Sequence, residues 1–229
     1  MSLFHNSVYL SLFLSIAAYE TGCIIKKRCG IALCNPLLIA IVLVIICLKA
    51  LDMDYADYEA GSRYLSYLLT PATICLAIPL YEKIMLLKNN LKAIIAGVLS
   101  GIVTNMLIVL LCSSLFKLNH QQYVTLLPKS ITTAIGISVS QELGGIVTIT
   151  AVVIILTGIL GNMTAEWVCR LFGIDDPISQ GVGFGTSSHV IGTARAMEMG
   201  EIQGSVSSLS LVLTGILSVL FVLIFSAVY

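Results

Sequence analysis

Two stretches gather polar side chains into an otherwise apolar chain. LLPKSITTAIGISVSQELGG, residues 126–145, carries Lys129, Ser130, Thr132 and Thr133. GTSSHVIGTARAMEMGE, residues 185–201, carries Thr186, Ser187, Ser188, His189, Thr193 and Arg195. These residue types suit recognition of a small carboxylate with neighbouring hydroxyl or keto oxygens. An arginine meets a carboxylate through two parallel hydrogen bonds. A lysine adds a point charge, and hydroxyls add neutral donors. A histidine titrates near neutral pH, which suits coupling to protons. Catalysis is not indicated. HExxH and GxSxG are absent, and the carboxylates are scattered. Ser188 and His189 are adjacent, and adjacent residues on a helix do not face each other. The expectation is a binding or transport protein with no catalytic residue, no cofactor and no metal.

Helices must position these groups. Pro128 suits a first helical turn, so a helix is predicted from there. It would set Lys129, Thr132 and Thr133 on one face, beside exposed N–H groups that favour anions. Thr186, Ser187 and Ser188 are good N-cap types. A helix starting there would align Ser188, Gly192 and Arg195, with Thr186, His189 and Thr193 on the adjacent face. Arg195 and Glu198 are spaced to pair. Gly185, Gly192 and Ala196 would admit a second backbone. A plainer account stands beside this one. Membrane hydroxyls commonly bond to their own helix or across to a neighbour, and cations reach for an interface.

The frame around both stretches is a membrane frame. Of 229 residues, 58% are hydrophobic and 10% charged, with mean hydropathy +1.01, far from the soluble norm. At about 20 residues per span, the chain is read as an all-α polytopic membrane protein. It should hold roughly 6–8 transmembrane helices, broken or re-entrant ones included. Spans are predicted at about 7–25, 31–50, 64–81, 93–116, 146–168 and 204–228. Pro71 and Pro79 should bend or break the third. The acidic stretch 51–63 is read as a surface loop with a short helix, and RLFGIDDPISQ as a loop. A single domain over 1–229 is expected, with four spans in 1–116. In 117–229, two polar broken-helix segments are each followed by an apolar span. That alternation suggests a weak duplication, 122–168 against 181–228.

Charge orients the first half. Lys26-Lys27-Arg28 and the lysines at 83, 88 and 92 place their loops in the cytoplasm. Net charge is zero and no longer basic block exists, so nucleic-acid binding is not expected. The seven cysteines form no CxxC and fall mostly in apolar runs, where they act as small hydrophobes. His5 and His120 sit near span ends and are read as interfacial.

GTSSHVIGTARAMEMGEIQG at 185–204, followed by SVSSLSLVLTGILS, resembles the LrgB/CidB family of bacterial membrane proteins. LLPKSITTAIGISVSQELGG resembles the family's other signature, and NPLL at 35–38 and LAIPLYEK at 76–83 also fit. Ser187 and Val190 stand where smaller residues are common in that pattern. Thr186, His189, Thr193 and Arg195 follow it. The resemblance implies a multi-pass protein of the bacterial plasma membrane. It implies antiholin-like control of murein hydrolase activity and lysis, with a small LrgA/CidA-like membrane partner. It also implies transport of small 2-hydroxy or 2-keto monocarboxylates such as pyruvate, glycolate or glycerate. Transport is the reading the intramembrane charges favour, antiholin-like regulation the alternative. A homo-oligomer in the lipid bilayer is expected. The candidate substrate-binding residues are Lys129, Ser130, Thr132, Thr133, Thr186, Ser187, Ser188, His189, Thr193 and Arg195.

Overall fold

The computed structural model describes residues 8–29, 35–75 and 77–229, and every regular element among them is a helix. His5, Cys34 and the first residues of the expected second span lie outside the described residues. The chain forms two compact units, Met1–Cys75 and Leu76–Tyr229.

The first unit contains α1 (Val8–Cys29), α2 (Pro36–Ala50), α3 (Tyr55–Ser66) and α4 (Leu69–Cys75). Asn35 starts α2 by accepting the Leu37 N–H at 2.9 Å, with Pro36 in the first turn. Gly22 lets α1 and α2 touch, since a Cβ there would lie 2.9 Å from Pro36 Cα. The Ser15 and Tyr58 hydroxyls, 2.8 Å apart, tie α1 to α3. The short helix expected in the acidic stretch is thus α3. The expected third span is not one helix. It divides into the end of α3, then α4 and, in the second unit, α5 (Ala77–Glu82). Pro71 and Pro79 each occupy the first turn of a short helix, where no N–H is needed.

The second unit continues with α6 (Ile84–Asn89), α7 (Leu91–Phe116), α8 (His120–Leu126), α9 (Thr133–Glu142), α10 (Val147–Leu171), α11 (Pro177–Met199) and α12 (Glu201–Ser226). Among the described residues, α7, α10 and α12 are long and apolar enough to cross a membrane. They coincide with three of the expected spans. α7, α8 and α12 share a core that includes Ile94, Val98, Ile102, Met106, Tyr123, Val206 and Val222.

Between these long helices the chain twice turns back on itself. In the first reversal, α8 and α9 lie side by side. Gln121 Nε2 donates to the Gly144 carbonyl at 3.2 Å, and the Ile146 N–H donates to Thr125 Oγ1 at 2.8 Å. The turn between them is 127–132. In the second reversal α11 breaks at His189, whose φ of 42° and ψ of −137° are not helical. Its second arm returns beside its first. Phe184 and Ala196 share one buried cluster, and Gln203 Nε2, just past the return arm, donates to Gln180 Oε1 at 3.3 Å.

The two hairpins enter from opposite ends of the unit. Gly97 and Gly101 of α7 abut Val182 and Thr186, so the first arm of α11 runs parallel to α7. Gly181 and Gly185 abut Val206 and Ser210, so that arm also runs parallel to α12. At the far ends of α7 and α12, Tyr229 Oη donates to the Leu118 carbonyl at 2.6 Å, and Tyr123 Oη of α8 donates to the Phe225 carbonyl at 2.9 Å. The α11 hairpin therefore starts where α7 and α12 begin, and the α8–α9 hairpin where they finish. Each is followed by a long apolar helix, and these two helices run in opposite directions.

Candidate functional site

Local sequence explains both hairpins. Asn119 opens α8 with a capping box: its Oδ1 accepts the Gln122 N–H at 2.8 Å, and Gln122 Oε1 accepts the Asn119 N–H at 3.0 Å. Because α8 precedes Pro128, that proline ends a helix instead of beginning one; it has no N–H to continue the ladder. The next helix starts only at Thr133, with Thr132 as an extended N-cap. The predicted face of Lys129, Thr132 and Thr133 therefore does not form. Lys129 and Ser130 lie in the hairpin turn, while Thr132 and Thr133 begin the outgoing arm.

The second segment is corrected in the same way. Its helix starts at Pro177, not at Thr186. Asp176 caps it, accepting the Ser179 N–H at 2.8 Å and the Ser179 hydroxyl at 2.7 Å. These bonds hold the Asp176 carboxyl below its ordinary pKa. An Asp-Pro start is stronger than a hydroxyl cap ten residues later. The break at His189 then puts Gly192, Thr193 and Arg195 on the return arm, so neither predicted helical face forms, although Gly192 still lies against Ser188.

The tips of the hairpins meet at one cavity of about 730 Å³ between α7, α10 and α11. Its lining extends from Ser179 and Gln180, at the start of α11, to Lys129 and Ser130 on one tip and Ser187 and Ser188 on the other. Thr186 lines it too. Among the described residues Lys129 is the only charged one in the lining, and none of them brings a carboxylate to it. Lys129 Nζ donates to Ser130 Oγ at 3.3 Å, and Ser130 Oγ donates to Asn105 Oδ1 at 3.2 Å. Ser187 Oγ donates to the Gly183 carbonyl at 2.7 Å and lies 2.9 Å from Ser188 Oγ. The lining is mostly apolar surface, interrupted by hydroxyls, two side-chain amides and the one cation.

The other expected residues lie outside this lining. His189 is buried, with Nε2 at 2.9 Å from the Ile154 carbonyl, so that nitrogen carries the proton. Thr193 Oγ1 donates to the His189 carbonyl at 3.0 Å and contacts Ser207 Oγ at 2.9 Å. Arg195 pairs with Glu198, as its spacing predicts, and with Glu166 of α10, both at 2.6 Å. Glu166 also pairs with Arg170 at 2.7 Å. The Arg195–Glu166 pair ties the return arm of the second hairpin to α10. The sequence reading passed over Glu166 and Asn105. Asn105 was legible as an amide within the span predicted at 93–116, where a polar group needs a reason.

Paired hairpins and, among the described residues, three membrane-length helices define a polytopic helical membrane protein. Residues 15–228 match the family described as "LrgB-like family", and the chain belongs to it. It is 37% identical over 209 residues to "Holin-like protein CidB" of Staphylococcus epidermidis, covering 91% of each chain. It is 35% identical over 220 residues to "Antiholin-like protein LrgB" of Bacillus subtilis, covering 96% of this chain and 95% of that one. No solved structure matches. With its long apolar helices, this places the chain in the bacterial plasma membrane as a multi-pass protein.

Proposed function

We propose that this chain acts in holin-like and antiholin-like control at the plasma membrane. In this reading it modulates a small LrgA/CidA-like membrane protein, and through it murein hydrolase activity and lysis. The observation that carries it is likeness to proteins named holin-like and antiholin-like over nine-tenths or more of both chains. These names support lysis control more directly than they support transport.

A second reading rests on the cavity. Two re-entrant hairpins from opposite ends, meeting at a chamber with one cation, suit a secondary transporter of small monocarboxylates. A half-buried lysine with no carboxylate partner among the described residues favours an anionic ligand, because an isolated charge at membrane depth costs about 2.5–3.5 kcal/mol. One strain set separates the readings. Autolysis and uptake of labelled pyruvate are measured in cells carrying the wild-type chain, Lys129→Ala, or no chain. Autolysis that changes on deletion but not in Lys129→Ala, without saturable uptake, supports lysis control alone. Saturable uptake lost in Lys129→Ala supports transport. Autolysis unaffected by deletion sinks the first reading.

A further inference from the structure

Asn105 lies near the middle of α7, in a helix that is otherwise largely apolar, and it lines the cavity. Its amide direction follows from its neighbours. The Lys129 ammonium can only donate, so it donates to Ser130 Oγ. Ser130's own proton is then free for Asn105 and goes to its Oδ1. The amide oxygen is thereby engaged, and the Nδ2 end is left for the chamber. No hydrogen bond to Nδ2 exists among the described residues. The mid-membrane pole of the cavity thus presents two unlike donors, the Lys129 ammonium and a neutral amide, with no carboxylate in the lining.

We infer that Asn105 is a ligand-contacting residue that sets specificity. Lys129 takes the charged group of a small monoanion, and Asn105 Nδ2 donates to a second acceptor beside that group. The site therefore selects anions carrying an oxygen next to the carboxylate over plain alkyl carboxylates of the same length. The discrimination arises because an amide donor that the ligand covers but does not pair is penalised. The inference rests on the transport reading of the cavity.

The test uses the full chain in lipid nanodiscs, with ligand-induced thermal shifts titrated against pyruvate and propanoate. These differ by the keto oxygen alone. Wild type should bind pyruvate on the order of tenfold more tightly, the scale of one hydrogen bond. Asn105→Leu should bring that ratio close to one while propanoate still binds. Asn105→Asp keeps the shape and the Ser130 bond but offers oxygen to the chamber, and should lose both ligands. A residue that merely braces the Ser130 turn would change both affinities together and keep the ratio. A tenfold ratio that persists in either folded variant overturns the inference while leaving the transport reading intact. Wild type that binds neither ligand overturns the transport reading, and the inference with it.

Discussion

The two hairpins solve the same problem by different means. The α8–α9 hairpin reverses over a turn of several residues, 127–132, and brings a lysine to its tip. Its arms are bridged by Thr150 of α10: Ser140 Oγ and Thr150 Oγ1 lie 2.6 Å apart, and Thr150 Oγ1 donates to the Thr125 carbonyl at 2.9 Å. The α11 hairpin reverses at one residue, His189, in a backbone region that favours glycine. Glycines and small side chains pack it against three neighbouring helices. The first tip supplies charge and the second supplies a close-fitting wall. A chamber built this way should depend on the first tip for affinity and on the second for its shape.

The largest expected effect tests that division. Lys129→Met should weaken binding of a small monocarboxylate on the order of a hundredfold, the scale of a hydrogen bond to a charged group. Ser188→Ala, on the opposite tip, should weaken it only about fivefold, the scale of one neutral hydrogen bond. Titration of pyruvate by thermal shift in nanodiscs measures both. Equal losses would mean that the tips share the anion.

Packing comes next. A Cβ on Gly185 would lie 2.9 Å from Ser210 Cβ and 3.0 Å from the Leu211 nitrogen. Gly185→Ala should therefore cost about 1–3 kcal/mol by overpacking. Gly144, at the C-terminal end of the other hairpin, has φ +76° and nothing within 4 Å of an added Cβ. Gly144→Ala should cost about 1 kcal/mol, from backbone conformation alone. Chemical denaturation in detergent separates the two. The same loss at both sites would deny the second hairpin its tighter packing.

The strained tip offers a smaller and sharper contrast. His189→Ala loses the contact to the Ile154 carbonyl and keeps the unfavourable φ; His189→Gly loses the contact and relieves the backbone. Gly should then be the more stable variant by about 1 kcal/mol. Thermal melting ranks them, and alanine equal to or above glycine would show that the conformation carries no strain.

The long helices were legible because uninterrupted apolar runs leave little choice, which is why α7, α10 and α12 fall where the sequence puts them. Both polar segments were legible as places where helices break. The reversals were not, because nothing in the residue types around His189 announces a positive φ in a histidine. Pro128 was misread for a more local reason. Its role depends on whether a helix comes before it, and α8 is short, although Asn119 and Gln122 carry its start signal. Arg195 shows the same limit in charge. Its pairing with Glu198 follows from spacing alone, whereas Glu166, 29 residues away along the chain, reaches it only through the fold.

The smallest effect concerns the entry to the second hairpin. Asp176→Ala removes the cap at the start of α11 and should cost about 1 kcal/mol. Its pH dependence has a defined sign. The Ser179 bonds favour the charged carboxylate, so its folded pKa lies below the unfolded value of about 3.9. The stabilisation is fully present above that unfolded value and fades as pH falls through the lower folded one. Wild type and Asp176→Ala should therefore differ most in melting temperature at pH 6, and the gap should narrow as pH falls below about 4. Asp176→Asn keeps an oxygen for the Ser179 N–H and should hold most of the stability without that pH dependence. If Asp176→Asn melts like alanine at pH 6, the carboxylate's charge rather than its hydrogen bonds starts the hairpin. That would align the second hairpin with the first, as a structure governed by charge.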